Sequence, residues 1–275
     1  MSSESQMTKQ PVISISLDEF LNETRSQGRH SFGLEELKQA LQVSDKAVNQ
    51  ALYRAKARKK VAQVRKGFYA ILSPEYAKQG MVPPTLLIDD MMKMLNRRYY
   101  VGLVSAAALH GAAHQQPMEY FVITQKPALR NIKNKKLKIN FYVKKDWSTE
   151  SVIQKKTDAG YINVSSPELT ALDLLFYKDA ISLNNIVTIL KELTQEIKPA
   201  DLQKTAIKYP QVAAIQRLGF ILDKELKIEK LGAVLLKVLE KKNVFPVLLS
   251  NNKTKAGAFD EKWKVINNTN MEADI

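Results

Sequence analysis

The sequence predicts an α+β protein in two parts, an N-terminal winged helix-turn-helix followed by a larger mixed α+β C-terminal domain. Three observations carry that prediction. A helical stretch opening at Ser44 runs straight into two apolar runs around Lys66-Gly67, the pattern of a helix followed by a hairpin. Gly80, Pro83 and Pro84 then interrupt the chain as a linker would. Beyond them, strand-like runs alternate with longer helical ones, and 275 residues is long for one compact core. The expected division is residues 1–80, of which 1–13 are a flexible lead-in, and residues 81–275, ending in a disordered tail from about 267 to 275.

Taken in order, Leu17, Phe20 and Leu21 with Asp18 and Glu19 predict a first helix ending before Gly28. Ser31-Phe32-Gly33 is short enough for a turn or a single bridge. Leu34–Leu41 places Leu34, Leu37, Ala40 and Leu41 on one helical face. The third helix begins with Ser44 as cap and Asp45 in its first turn. Val48, Ala51, Leu52 and Ala55 fall on one stripe at 100° per residue. Lys46, Asn49, Gln50, Tyr53 and Ala57 fall opposite, with Arg54 and Lys56 at the flanks. Amides can pair with adenine edges, and cations reach guanine or phosphate, so this outward face suits duplex DNA. From Lys46 to Lys66 there are eight Lys or Arg and no acid, and the hairpin adds Arg65 and Lys66 beside the helix.

The second part opens with an amphipathic helix over LLIDDMMKML. Tyr99–Ala113, rich in small residues, reads as one helix packed closely on a neighbour. Strands are expected at Glu119–Thr124, Lys136–Val143 and Tyr161–Ser165. Ser166, Pro167 and Glu168 then mark a helix start. Further helical patterns cover Asn184–Thr194, Ala200–Lys208, Gln211–Asp223 and Leu226–Lys241, and Phe245–Ser250 adds a short strand. A second basic run, Lys126 to Lys145, holds eight Lys or Arg and no acid. Its Lys136, Lys138 and Asn140 alternate with Leu137, Ile139 and Phe141, so one strand face would be core and the other a positive stripe. Lys126, Arg130, Lys133, Lys135, Lys136 and Lys138 form a candidate second patch for nucleic acid.

Composition narrows the partners. A formal net charge of +14 favours an acidic polymer or surface. The absence of cysteine excludes disulfides and thiolate chemistry, and no apolar run approaches a membrane span, so the cytoplasm is the expected location and no membrane partner is expected. No cofactor and no metal are expected. His110 and His114 have the i, i+4 spacing of zinc proteases, but Gly111 stands where that motif needs its glutamate base. Asp89 and Asp90 point about 100° apart on a helix. Glu168 and Asp173 read as cap and pairing residues, and no Walker loop, nucleophile elbow or dinucleotide fingerprint is present. The chain is therefore expected not to be an enzyme.

Several motifs in order, YYVGLVSAAALHGAAHQQP, the segment around Arg130-Asn131-Ile132 with KINFYVKK, GYINVSSPELTALDLLFY and QRLGFIL, resemble the AbiEi-type antitoxins of abortive-infection toxin–antitoxin systems. That resemblance implies a winged helix that represses its own operon and a C-terminal domain required for antitoxicity. It also implies a nucleotidyltransferase-like toxin opposed in the type IV manner, without an expected stable complex. By position in the motif, it gives Lys46, Asn49, Gln50 and Tyr53, with Arg65 and Lys66 of the wing, the DNA-binding role, and Ser44 and Arg54 join them as candidate DNA contacts of the recognition helix. The same N-terminal half also fits a generic winged-helix regulator whose second domain binds a ligand or oligomerises.

Overall fold

The computed structural model describes residues 15–112, 118–250 and 256–269. The expected flexible lead-in, His114 and the last six residues of the expected tail lie outside them. The chain divides into two compact units, Met1–Leu95 with Thr157–Gly160, and Asn96–Lys156 with Tyr161–Ile275.

The first unit begins with α1 (Leu17–Ser26), fixed by a reciprocal cap in which Ser16 Oγ accepts from the Glu19 amide and the Glu19 carboxylate accepts from the Ser16 amide. There follow β1 (Ser31–Gly33), α2 (Leu34–Leu41), α3 (Asp45–Ala57), β2 (Val61–Arg65) and β3 (Phe68–Ile71). The strands form an antiparallel sheet in the order β1-β3-β2. Gly67, with φ +76°, supplies the left-handed turn residue of the hairpin. Phe32, Leu37, Val48 and Leu52 are fully enclosed, and Phe32 meets Phe20 edge-on and stacks on Tyr69. This core seats α3 by one stripe only, which leaves its opposite face to solvent.

After α4 (Pro74–Ala77), helix α5 (Ile88–Met94) also belongs to this unit. Asp90 accepts from Arg29 Nε at 3.2 Å and from Ser31 Oγ at 3.0 Å, tying α5 to the start of β1. A Cβ at Gly33 would lie 3.2 Å from the Met94 sulfur, so the missing side chain makes room for the helix. The unit consequently ends at Leu95, whereas the Gly- and Pro-rich stretch had pointed to a boundary at Gly80.

The second unit is built on β4 (Tyr99–Val101), α6 (Leu103–Leu109), β5 (Tyr120–Thr124), β6 (Ile132–Lys133), β7 (Lys138–Val143), β8 (Val152–Thr157) and β9 (Gly160–Ser165). Its mixed sheet has the order β6-β7-β5-β4-β9-β8, with β4 parallel to β9 and β5 parallel to β7. The expected single helix over Tyr99–Ala113 is corrected here. Tyr99, Tyr100 and Val101 are buried and pair with Thr124, Ile123 and Val122 as a strand, and the helix begins only at Leu103. Aromatic and β-branched residues favour the pleated surface. Gly102 makes the junction possible, because a Cβ there would sit 2.9 Å from Ile123 Cγ1.

The helices α7 (Pro167–Phe176), α8 (Leu183–Leu193), α9 (Pro199–Lys208), α10 (Val212–Phe220) and α11 (Glu229–Leu239) supply most of the large core. Helix α7 is its axis, with every residue from Glu168 to Leu175 buried, and Ser166 Oγ caps it by accepting from the Leu169 amide. Helix α10 continues into one π-helical turn, Ile221–Glu225. A last small sheet joins β10 (Val247–Leu248), β11 (Ala258–Asp260) and β12 (Val265–Asn267) in the order β10-β12-β11. Its anchor is the fully buried Trp263, whose ring occupies the space a Cβ on Gly219 would need, 1.9 Å from Cζ3. The expected disorder from residue 267 does not hold for the first residues of that tail. Asn267 ends β12, and Asn268 exchanges two hydrogen bonds with the Ser250 backbone at 2.8 and 3.0 Å. No described helix is long and apolar enough to cross a membrane.

A candidate nucleic-acid interface

The sequence of α3 fixes which side chains it can offer. Ser44 Oγ accepts from the Ala47 amide at 3.3 Å, setting the helix start, and Val48, Leu52 and Ala55 are buried. The same periodicity turns Lys46, Asn49, Gln50, Tyr53 and Arg54 outward, and these five line one shallow concavity on the helix surface. Tyr53 is 72% exposed, an unusual setting for an aromatic ring. None of the five is held by a hydrogen bond or ion pair to another described residue, so amide, phenol and cationic groups are all available to a partner. Asp45, the acid at the head of the helix, is paired with Lys38 at 3.0 Å. That bond, opposed by a little desolvation, raises the Lys38 pKa above its ordinary value. The positive field of the face therefore meets no unpaired acid on α3 itself.

The hairpin β2–β3 is less uniform than the sequence suggests. Lys66 is exposed at its tip. Arg65 is only part-exposed, and its Nη1 is enclosed without a hydrogen-bond partner. A bulge between Gln63 and Arg65 shifts the register there. Lys60, counted in the basic run, forms an ion pair with Asp18 at 2.8 Å. Arg58 and Lys59, just past the end of α3, are exposed and were not singled out by the helical pattern. The continuing basic run is the signal that could have found them.

The second basic run forms another hairpin, β6–β7, at the edge of the six-stranded sheet. Lys126, Arg130, Lys133, Lys135, Lys136 and Lys138 are all exposed. The expected alternation places Leu137, Ile139 and Phe141 inside and Lys136 and Lys138 outside, as drawn from the pattern. Asn140 departs from it and is buried. Its amide nitrogen donates to Glu119, and its oxygen accepts from Asn131 Nδ2. Asn131 Oδ1 in turn accepts from the Phe141 amide at 2.8 Å, covering β7 where β6 has ended. The strand starts at Lys138 rather than Lys136, because Asn134 Oδ1 accepts from the Lys136 and Leu137 amides and makes them a turn.

The residues weighed for catalysis take other parts. His110 ends α6 and Gly111 follows at φ +82°. Asp90 binds Arg29 and Ser31, and Asp89 pairs with Lys93. Asp173 is fully buried. It accepts from Tyr100 at 2.6 Å and Tyr209 at 2.7 Å, and pairs with Lys144 at 2.5 Å. No group of three or more histidine, aspartate or glutamate side chains suited to a metal occurs among the described residues.

Comparison with known proteins bears on the fold and on the second unit. The overall fold is similar to that in the crystal structure of the RV2827C protein from Mycobacterium tuberculosis, with a TM-score of 0.65 over 90% of each chain at 15% identity. Comparison with curated proteins gives no match. Residues 100–224 match the family model of the AbiEi antitoxin C-terminal domain. That span runs from β4 through the helical core to the π-helical turn and lies in the second unit but for the short segment Thr157–Gly160, and the match supports reading it as the C-terminal domain of an AbiEi-type antitoxin.

Proposed function

We infer that this chain is an AbiEi-type antitoxin that binds the duplex DNA of its own promoter through a winged helix-turn-helix formed by α1 to β3, represses its operon, and opposes a nucleotidyltransferase-like toxin in the cytoplasm. One observation carries the DNA-binding part. The exposed face of α3 presents Lys46, Asn49, Gln50, Tyr53 and Arg54, unengaged, on a helix whose opposite stripe is locked into the core. Such a helix fits the major groove, about 12 Å wide, with the amides at base edges and the cations at guanine or phosphate. Lys66 at the hairpin tip, and Arg65 through its accessible part, would lie on the sugar-phosphate backbone beside it. On this reading the DNA-binding domain comprises the whole first unit, including α5.

The type IV relation to the toxin follows from the AbiEi resemblance. It assigns antitoxicity to the second unit, where the family match lies. The test is anisotropy of the full-length chain with the promoter upstream of its own gene and with random duplex, for the parent protein and for Asn49→Ala/Gln50→Ala. The parent should prefer its promoter, and the variant should lose that preference. Equal affinity of the parent for both duplexes would overturn the repressor reading. The same variant co-expressed with the toxin should still rescue growth, since its second unit is unchanged. Failure to rescue would make repression itself the means of neutralisation.

A further inference from the structure

The second unit contains a recess of about 620 Å³ that the antitoxin reading leaves without a role. One wall is a helical stripe of α9, namely Asp201, Lys204, Thr205 and Lys208, spaced i, i+3, i+4 and i+7. The facing wall takes alternate residues, Ser151, Ile153 and Lys155, running into and along β8. The recess is of the size that holds small ligands, and is too narrow for a duplex.

Its charges are not all equivalent. Lys208 pairs with Glu150 at 2.7 Å and Lys204 with Asp201 at 3.7 Å. Glu168, buried at the start of α7, accepts from the Lys198 amide at 3.0 Å and so occupies the first turn of α9. Lys155 and Lys198 have no carboxylate partner among the described residues. Lys155 donates one proton to the Leu109 carbonyl at the end of α6, which leaves two for a ligand. His110, beside it, donates from Nε2 to the Ser165 carbonyl at 2.7 Å. Burial lowers its pKa, with the Lys155 charge adding to that effect against the Ser165 carbonyl and the Glu168 and Glu196 charges, so it brings no further cation at neutral pH.

We propose that this recess binds a small phosphorylated sugar, its phosphate held by Lys155 and Lys198 and its hydroxyls by the polar lining. Ammonium groups without a carboxylate partner suit a phosphate. Glu196, Asp201 and the hydroxyls of Ser151 and Thr205 are acceptors and donors matched to a polyol. Among the described residues the lining holds no Phe, Tyr or Trp, Ile153 and Pro167 are its apolar members, and its one aromatic ring, the part-buried His110 imidazole, is tied to the Ser165 carbonyl, so it offers little surface on which a nucleobase could stack.

Titration calorimetry on the full-length chain, in low-salt buffer, tests this with ribose 5-phosphate, ribose, inorganic phosphate and adenosine monophosphate as probes. Ribose 5-phosphate should bind at least about tenfold more tightly than ribose, since charge-assisted bonds are the strong ones. Lys198 is exposed, so Lys198→Met should leave the fold undisturbed. It should weaken binding about fivefold or more, and Lys155→Met should do the same, whereas the exposed change Lys78→Met, in the first unit and outside the lining, should leave it unaltered. Thr205→Val should weaken ribose 5-phosphate and leave inorganic phosphate unchanged. No heat of binding with ribose 5-phosphate at about 10 mM, or equal affinity for ribose, would overturn the proposal. So would phosphate-dependent binding indifferent to both lysine changes. Adenosine monophosphate binding more than about tenfold tighter than ribose 5-phosphate would overturn the assignment to sugars.

Discussion

The two units place their polar side chains in opposite ways. On α3 of the first unit, amides, a phenol and cations stand outside a closed apolar core and make no hydrogen bond or ion pair to another described residue. In the second, Asp173 is drawn into the centre of the largest core and surrounded by Tyr100, Tyr209 and Lys144, with the Lys144 ammonium 4.3 Å above the Tyr209 ring. A buried carboxylate is tolerable only when its charge is matched and its oxygens are bonded, whereas an exposed amide has no such requirement. The lesson is that the first arrangement is expendable for folding and available for recognition. The second is needed for folding and closed to recognition.

The largest effect should therefore come from the interior. Asp173→Ala leaves the Lys144 charge and two tyrosine hydroxyls without their shared acceptor, and removing one partner of such a pair costs about 3–5 kcal/mol. Chemical denaturation should register that loss. A change under about 1 kcal/mol would mean that Lys144 finds water or another acceptor, and the contrast between the units would fail.

Next in size is the opposite signature on α3. Gln50→Ala should leave unfolding unchanged within about 0.5 kcal/mol. It should remove about 1–3 kcal/mol of discrimination between promoter and random DNA. Titration of both duplexes at fixed salt measures it. A uniform loss on both duplexes would place Gln50 on the phosphates rather than on a base.

A third effect, near 1 kcal/mol, concerns pH. The pKa values of Tyr100 and Tyr209 are raised well above the ordinary tyrosine value, first by burial and then by the Asp173 charge. A group whose folded pKa is raised contributes its stability below the unfolded value and loses it above. The protein should therefore weaken progressively above about pH 10, where the tyrosines of the unfolded chain ionise. Tyr209→Phe should cost about 1 kcal/mol at neutral pH through the lost hydrogen bond, and should flatten the alkaline decline. An alkaline decline as steep as in the parent would assign it to other groups.

These contrasts also explain what could be read beforehand. The surface of α3 was legible because a helix declares its faces by spacing, and caps such as Ser16, Ser44 and Ser166 are local signals. The strand Tyr99–Val101 was not, since its partners lie more than twenty residues away and the helix-favouring alanines beside it dominate the local pattern. Asp173 lies within one apolar helical run, yet nothing local shows that Tyr100, Lys144 and Tyr209 converge on it. The place of α5 in the first unit rests likewise on Asp90 meeting Arg29 and Ser31, a long-range match beyond a proline-rich stretch that looks like a boundary. The recess beside α9 was hidden for a related reason: its stripe Asp201, Lys204, Thr205 and Lys208 is indistinguishable from a solvated helix face.

The smallest expected effect decides whether the contrast holds for the whole second unit. Its hairpin β6–β7 is exposed and basic like α3, but its outward charges, Lys133, Lys135, Lys136 and Lys138, are all lysines. A lysine is a point charge that attracts phosphate and reads no base. If this hairpin touches the DNA, Lys135→Ala/Lys136→Ala should weaken promoter and random duplex equally. It should also reduce the salt slope of log affinity by about 0.9 for each phosphate contact removed. Discrimination should not change. An unaltered slope would keep the β6–β7 charge off the DNA and leave recognition wholly to the first unit. A change in discrimination would show that Asn131 or Asn134 reaches a base edge, so that the second unit carries recognition as well as a core.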